Sequence, residues 1–217
     1  MSSPTTARRG LTLTAAAREF WRHPTPWLFS VALIAAVIAR IAVGDWRFGD
    51  AVVPFAVAAG FPFLEWMIHV VVLHWRPRRV GRFTIDPLLA RKHREHHIAP
   101  RDVDLVFIPL QSAIGAVAAA VAIALLVFPR TGMGLTFLVV MLTFGLLYEW
   151  CHYLVHTDYK PKTAAYRVIW RDHRLHHYKN EHYWFGVTTP GTADRLLRTY
   201  PDPATVPAPP TAKNLPS

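Results

Sequence analysis

The chain has 217 residues, 52% of them hydrophobic and only 18% charged, with a formal net charge of +10. Its mean hydropathy is positive, which points away from a soluble enzyme and toward a membrane protein whose Lys and Arg meet anionic headgroups. No nucleic-acid motif accompanies the charge, so no nucleic-acid partner is expected, and the single cysteine, Cys151, excludes an intrachain disulfide.

Residues 1–24 are basic and amphipathic, with Arg8, Arg9, Arg18 and Arg22. No long apolar core with a small-residue cleavage site follows the arginines, so an interfacial helix around Leu11–His23 is expected rather than a signal peptide. Four apolar stretches come next, Pro26–Val43, Ala51–Leu73, Leu105–Phe128 and Met133–Val155. At about 1.5 Å per residue each matches a hydrocarbon core of about 30 Å. Arg40 interrupts the first and is expected to snorkel outward. The connections Gly44–Asp50 and Pro129–Gly132 are short, so the stretches read as two helical hairpins. Basic residues crowd Trp75–Asp104 and the segment after Val155, whereas the short connections carry only Arg47 and Arg130. The positive-inside rule then places both termini and both long segments in the cytoplasm of a multi-pass cell-membrane protein. The expected organisation is an interfacial segment (1–24), a membrane-embedded domain (25–200) and a disordered Pro-rich tail (201–217).

Eleven of the twelve histidines fall between His69 and His182. His69 and His74 are spaced H-x-x-x-x-H, and His93, His96 and His97 are spaced H-x-x-H-H. His152 and His156 are spaced H-x-x-x-H, and His173, His176 and His177 repeat H-x-x-H-H. The pattern is a loose internal repeat: Glu65-Trp66 precedes His69 and Glu149-Trp150 precedes His152, and a basic segment then leads to each triplet. Residues i and i+4 share a helix face, so His152 and His156 can reach one metal, and one turn of H-x-x-H-H presents three imidazoles together. A spacing of five turns about 140° on an ideal helix. Either the helix end deforms there or His69 and His74 serve different metals. His69, His74, His152 and His156 lie in the cytoplasmic last turns of their spans and the two triplets in the segments that follow, so all ten can converge at one membrane boundary. Imidazole suits iron, zinc, copper and nickel. Ten ligands exceed one first-row metal but suit two sites of about five or six each. Iron would activate dioxygen; zinc would fill the same ligands without redox chemistry. Glu65 and Glu149 are costly inside a bilayer and read as carboxylates that orient imidazoles.

These boxes, in this order and spacing, resemble the fatty acid hydroxylase / sterol desaturase superfamily, and within it the fatty acid 2-hydroxylases. His96-His97-Ile98-Ala99-Pro100-Arg101-Asp102 is similar to the H-H-x-x-P-x-D segment after the first triplet. Phe185-Gly186-Val187-Thr188-Thr189 is similar to the F-G-I-S/T-T segment after the last. The resemblance implies an all-α integral membrane fold of four transmembrane helices capped by a cytosolic helical layer. That layer would hold a dimetal centre ligated by His69, His74, His93, His96, His97, His152, His156, His173, His176 and His177. His182 has no secure counterpart and stays a candidate ligand. The resemblance further implies dioxygen-dependent hydroxylation of a lipid acyl chain, with iron as the expected metal. Electrons would come from a separate ferredoxin or small cytochrome steered to the basic face. Desaturation at the same site is an alternative outcome. Carotenoid ring hydroxylases are disfavoured, since their third box resembles H-x-x-x-x-H. A metal transporter is the alternative of another class, although transport sites usually lie near the bilayer midplane.

Overall fold

The structure, a computed structural model, describes residues 11–209. Helix α1 (Leu13–Phe20) opens on Thr12, whose hydroxyl accepts the Ala15 N–H. It buries Ala16 and Phe20 against Val106, Phe107, Tyr153 and Leu154. Residues 1–10 of the expected interfacial segment lie outside the described residues.

Helix α2 (Pro24–Val43) starts on a proline, whose missing N–H costs nothing in the first turn. Helix α3 (Val52–Met67) follows a short 3₁₀ turn and runs into a π-helical turn at Ile68–Leu73. Helix α6 (Leu110–Leu126) and helix α7 (Thr131–Val155) form the second hairpin. The four segments Pro24–Val43, Phe48–Leu73, Val103–Leu126 and Thr131–Val155 are long and apolar enough to cross a membrane. Helix α7 is the central one, packing on α2, α3 and α6. Phe29, Ala36, Ala113, Ala124, Leu138 and Leu142 fill the interior between α2, α6 and α7. Gly134 permits the close approach of α7 to α6, since a Cβ there would run into the Ala124 carbonyl.

Arg40 does not snorkel to solvent. Its side chain is 4% exposed and pairs with Asp50 at 2.9 Å. It also donates to Thr136 Oγ1 and to the Gly44 carbonyl, and it stacks on Trp46 at 3.4 Å. Arg130 binds Asp50 and Asp45 from the other hairpin's connection. A charge this close to the end of a span is retained because carboxylates on the adjoining loop fold over it.

The other end carries the remaining elements. They are strands β1 (Arg78–Val80) and β2 (Phe83–Ile85), helices α4 (Leu88–Ile98) and α5 (Val103–Val106), helix α8 (Ala164–Tyr178) and helix α9 (Thr192–Leu196). Helix α4 packs on the π turn and α8 on the end of α7. The fold is therefore mostly helical but not all-α: β1 and β2 form an antiparallel hairpin. Val80, Phe83, Thr84 and Ile85 favour strand, and Gly81 supplies the positive φ of a two-residue loop. Of the Pro-rich tail, residues 201–209 are described. Val206 is buried, and the Pro207 carbonyl accepts from Asn180 Nδ2. Residues 210–217 lie outside the described residues.

Candidate metal centre

The ten box histidines gather at one end of the spans in two groups of five. One group is His69, His74, His93, His97 and His176; the other is His96, His152, His156, His173 and His177. Within each group the offered nitrogens all lie within 4.8 Å of one another. Each group takes the pair at the end of a span and the outer two histidines of the triplet that follows it in sequence. It then takes the middle histidine of the other triplet: His176 crosses to the first group and His96 to the second. The expectation that one turn presents three imidazoles together is thus refined. An i, i+4 pair faces one cluster while the residue between them turns to the other. His97 and His177 stack at the junction, with ring centroids 4.2 Å apart.

His69 and His74 share a cluster because the helix end deforms. The His74 N–H donates to the His69 carbonyl at 3.1 Å, an i→i+5 bond. The π turn so made brings residues five apart onto one face. On α7 no such adjustment is needed, because His152 and His156 are four apart on a helix that stays regular to Val155.

Backbone carbonyls fix the tautomers. Nδ1–H of His69 donates to Phe185 O at 2.8 Å, that of His152 to Val106 O at 2.9 Å, and that of His176 to Tyr183 O at 2.8 Å. A carbonyl only accepts, so each of these rings turns an Nε2 lone pair inward. Trp184, between two of these carbonyls, is buried with a φ of 57°. This left-handed kink aims the Tyr183 and Phe185 carbonyls at two different histidines. Residues held in such conformations cluster at functional sites, but no sequence pattern marks Trp184.

Glu65 and Glu149 act on these straps. Glu65 accepts the Val187 N–H at 2.7 Å, the Thr188 N–H at 3.0 Å and the Thr188 hydroxyl at 2.6 Å. Glu149 accepts the Ile108 N–H at 3.2 Å. Each carboxylate therefore holds a strap two residues beyond the carbonyl that orients a histidine. The expected direct contact to an imidazole is replaced by one through the backbone. Asp194 adds to the first strap by accepting from the Phe185 and Gly186 N–H groups. Its own burial raises its carboxyl above the usual range.

The donor set fits metal ions. Burial first, and neighbouring imidazoles second, push His93, His97, His156, His173 and His177 well below the usual imidazole range. Burial likewise lowers His96 and His176 and takes His74 to about 4. The cluster is thus neutral and rich in lone pairs at pH 7. The Nε2 atoms crowd beyond what hydrogen bonding explains. His97 Nε2 lies 3.0 Å from that of His93 and 3.2 Å from that of His176. His156 Nε2 lies 3.1 Å from those of His96 and His173, and His173 Nε2 also lies 3.1 Å from that of His177. A ring nitrogen has one in-plane site, a proton or a lone pair, and cannot serve two such partners. Nitrogens bound about 2.1 Å from one ion and at right angles stand about 3.0 Å apart. The Nε2 atoms of His69, His74 and His152 are moreover buried without a hydrogen-bond partner.

His182 joins neither group. It is exposed, its N–H donates to Asn180 Oδ1, and its side chain lines a polar cavity of about 480 Å³ with His74, His93, His97, Arg76 and Arg94. An apolar well of about 180 Å³ lies among the spans, walled by Phe61, Leu64, Ile68, Ala120, Met141 and Gly145. Its upper rim, Leu73, Leu89, Ile108 and Tyr148, also lines a small cavity of about 30 Å³ that reaches His93, His96 and His152.

The fold and site define a helical membrane protein with two all-histidine clusters at the head of an apolar well. A family model for fatty acid hydroxylases matches residues 54–199, and the chain belongs to that family. The fatty acid 2-hydroxylase of Mus musculus is 30% identical over 129 residues, covering 58% of this chain and 34% of the mouse protein. That of Rattus norvegicus is 29% identical over 128 residues, covering 58% of this chain and 33% of the rat protein. The chain thus spans about a third of the length of these curated relatives. The solved structure of full-length scs7p, in which only the hydroxylase domain is visible, matches with a TM-score of 0.68 at 20% identity. The match covers 85% of this chain and 69% of that one. At that identity the likeness is one of fold.

Proposed function

We propose that this protein is a membrane-bound, dioxygen-dependent hydroxylase of a lipid acyl chain, working through two metal ions held by the two five-histidine clusters. The observation that carries this reading is the meeting of the clusters with an apolar well through the rim at Leu73, Leu89, Ile108 and Tyr148. Iron ions, when bound, would supply dioxygen activation and the oxidising power needed for an unactivated C–H bond.

The chain's own residues do the positioning. The well would take a methylene chain from the bilayer and exclude water from it, so that one carbon rests near the histidines. The Phe185, Val106 and Tyr183 carbonyls hold three imidazoles in the ligating tautomer, and Glu65 and Glu149 hold the backbone that bears two of those carbonyls. Hydroxylation consumes two electrons and two protons per dioxygen, with one oxygen atom leaving as water. A separate donor of the ferredoxin or small-cytochrome type would supply the electrons at the basic face, where Arg76 and Arg94 border the polar cavity. Both termini and the clusters are assigned to the cytoplasm of a cell-membrane protein, with α4 and α8 as the helical cap. The basic segments on that side support this orientation.

The test is mass spectrometry of lipids from aerobic cells expressing the protein with a reductase–ferredoxin pair, beside a His176→Ala control. Gain of one oxygen atom on an acyl chain, absent in the control, is the expected result. Loss of two hydrogens would make the protein a desaturase. Unchanged lipids together with uptake of zinc or iron into vesicles would replace the reading with transport.

A further inference from the structure

The β1–β2 hairpin takes no part in either cluster, yet its form asks for a partner. Val80 pairs with Phe83 and Arg78 with Ile85, so these four side chains share one face, and Arg79 and Thr84 share the other. Val80, Phe83 and Ile85 are 57%, 63% and 45% exposed. Three large apolar groups at the crest of a two-stranded ribbon are a costly surface to leave in water, and so short a ribbon is marginal alone.

Two further observations say what covers it. Arg76, Arg78 and Arg82 are exposed beside the apolar crest and Arg79 is exposed on the ribbon's other face, with Arg78 over the Trp75 ring and Arg82 over the Phe83 ring. The hairpin also begins five residues beyond Leu73, where a membrane-spanning segment ends. An apolar crest flanked by arginines at the end of a span matches the headgroup layer, with acyl chain on one side and phosphate on the other. A soluble acidic partner would use the arginines but leave the crest unexplained.

We propose that the β1–β2 hairpin is a membrane-surface anchor, seating Val80, Phe83 and Ile85 in the headgroup layer of an anionic bilayer with Arg78, Arg79 and Arg82 on lipid phosphates. The anchor has a mechanical consequence. Arg94 on α4 grips Asp86, next to β2, at 2.7 and 2.8 Å, and donates to the Trp75 carbonyl at 2.8 Å. Both ends of the hairpin are thereby bolted to the helix that carries His93, His96 and His97. Seating the hairpin fixes the height of that helix against the bilayer, whatever reaction the site performs.

The experiment places an environment-sensitive fluorophore on Phe83→Cys in a Cys151→Ala background. The full chain is reconstituted in nanodiscs of phosphatidylcholine, with or without phosphatidylglycerol. The expected result is emission at shorter wavelength and quenching by lipids carrying a shallow doxyl group, both stronger with the anionic lipid. Both should weaken in high salt and in the triple variant Arg78→Gln, Arg79→Gln, Arg82→Gln. Circular dichroism of each labelled variant confirms its helical content before the comparison. A label that stays in water, or quenching indifferent to lipid charge and to the arginines, would overturn the proposal. So would a spectral change that appears only on adding an acidic soluble electron carrier, which would give the face to a protein.

Discussion

In one cluster two span-end histidines five residues apart share a site because the helix widens into a π turn at Ile68–Leu73; in the other, two histidines four apart share one on a regular helix. The plan of the two clusters otherwise corresponds in three respects. Each has a buried glutamate one turn before its first histidine (Glu65 four residues before His69, Glu149 three before His152), a carbonyl strap from a segment beyond a triplet, and a middle histidine borrowed from the other half. The difference shows which quantity is held fixed. The ligand set, a span-end pair with two histidines of the next triplet and one of the other, is the same in both halves, and the backbone of one span yields to supply it.

The sharpest way to break this comparison is to remove a borrowed histidine. His176→Ala should strip metal from the cluster of His69, and His96→Ala from that of His152. Elemental analysis should read about one ion lost per variant, and the proposed acyl-chain hydroxylation should fall by about 100-fold or more in each. If both ions stayed bound in either variant, the crossed assignment would be wrong.

The two glutamates offer a graded comparison. Glu65 holds three donors, whereas Glu149 holds the Ile108 N–H. Each buried donor left without an acceptor costs about 1–3 kcal/mol. Glu65→Ala should therefore lower the thermal midpoint more than Glu149→Ala. Glu65→Gln, which keeps a carbonyl oxygen, should recover part of the loss. Equal midpoints for the two alanine variants would mean that the straps do not bear on stability as their hydrogen bonds indicate.

Much of this was legible in the sequence, and for definite reasons. Spans show as unbroken apolar runs because the bilayer demands them, and the four segments begin and end within a few residues of the expected boundaries. The histidine boxes stand out because ligands on one helix face repeat at three or four residues, or at five where the helix widens. The division of each triplet was not legible, because it depends on how α4 and α8 cross, which no local spacing encodes. Nor was the role of Glu65 and Glu149, whose partners are backbone groups 122 and 41 positions away. The pairing of Arg40 is hidden for a similar reason, since its partner Asp50 lies on a loop whose fold over the span end is set by tertiary contact.

Acid should act on both halves. In the metal-free protein His93, His96, His97, His156, His173, His176 and His177 have imidazoles held well below the ordinary 6.5, and His74 sits at about 4. Below 6.5 the unfolded chain binds protons that the folded chain refuses, so stability falls with pH. The contribution is complete above pH 6.5 and is lost as pH drops toward about 4. Thermal midpoints of metal-stripped protein in detergent, measured from pH 8 to pH 4, should decline through that window. Bound metal should delay the decline, because protons then compete with the ion for the same lone pairs. A flat profile would show that the imidazoles are more open to water than their burial implies.

His182 provides the smallest expected effect and the cleanest limit on the ligand set. It follows the last triplet closely enough to be a candidate by proximity alone. Yet its side chain is exposed, its backbone N–H is taken by Asn180, and it belongs to neither cluster. His182→Ala should leave the metal content unchanged and the thermal midpoint nearly so, as for most exposed positions. Its place on the polar cavity with Arg76 and Arg94 gives it one distinguishing prospect. If that cavity receives the electron donor, His182→Ala should raise the donor concentration needed for half-maximal rate while sparing the rate at saturation. If instead one ion were lost, a five-histidine cluster would have to recruit a sixth ligand by moving the loop after α8, and the symmetry between the two clusters would be only approximate.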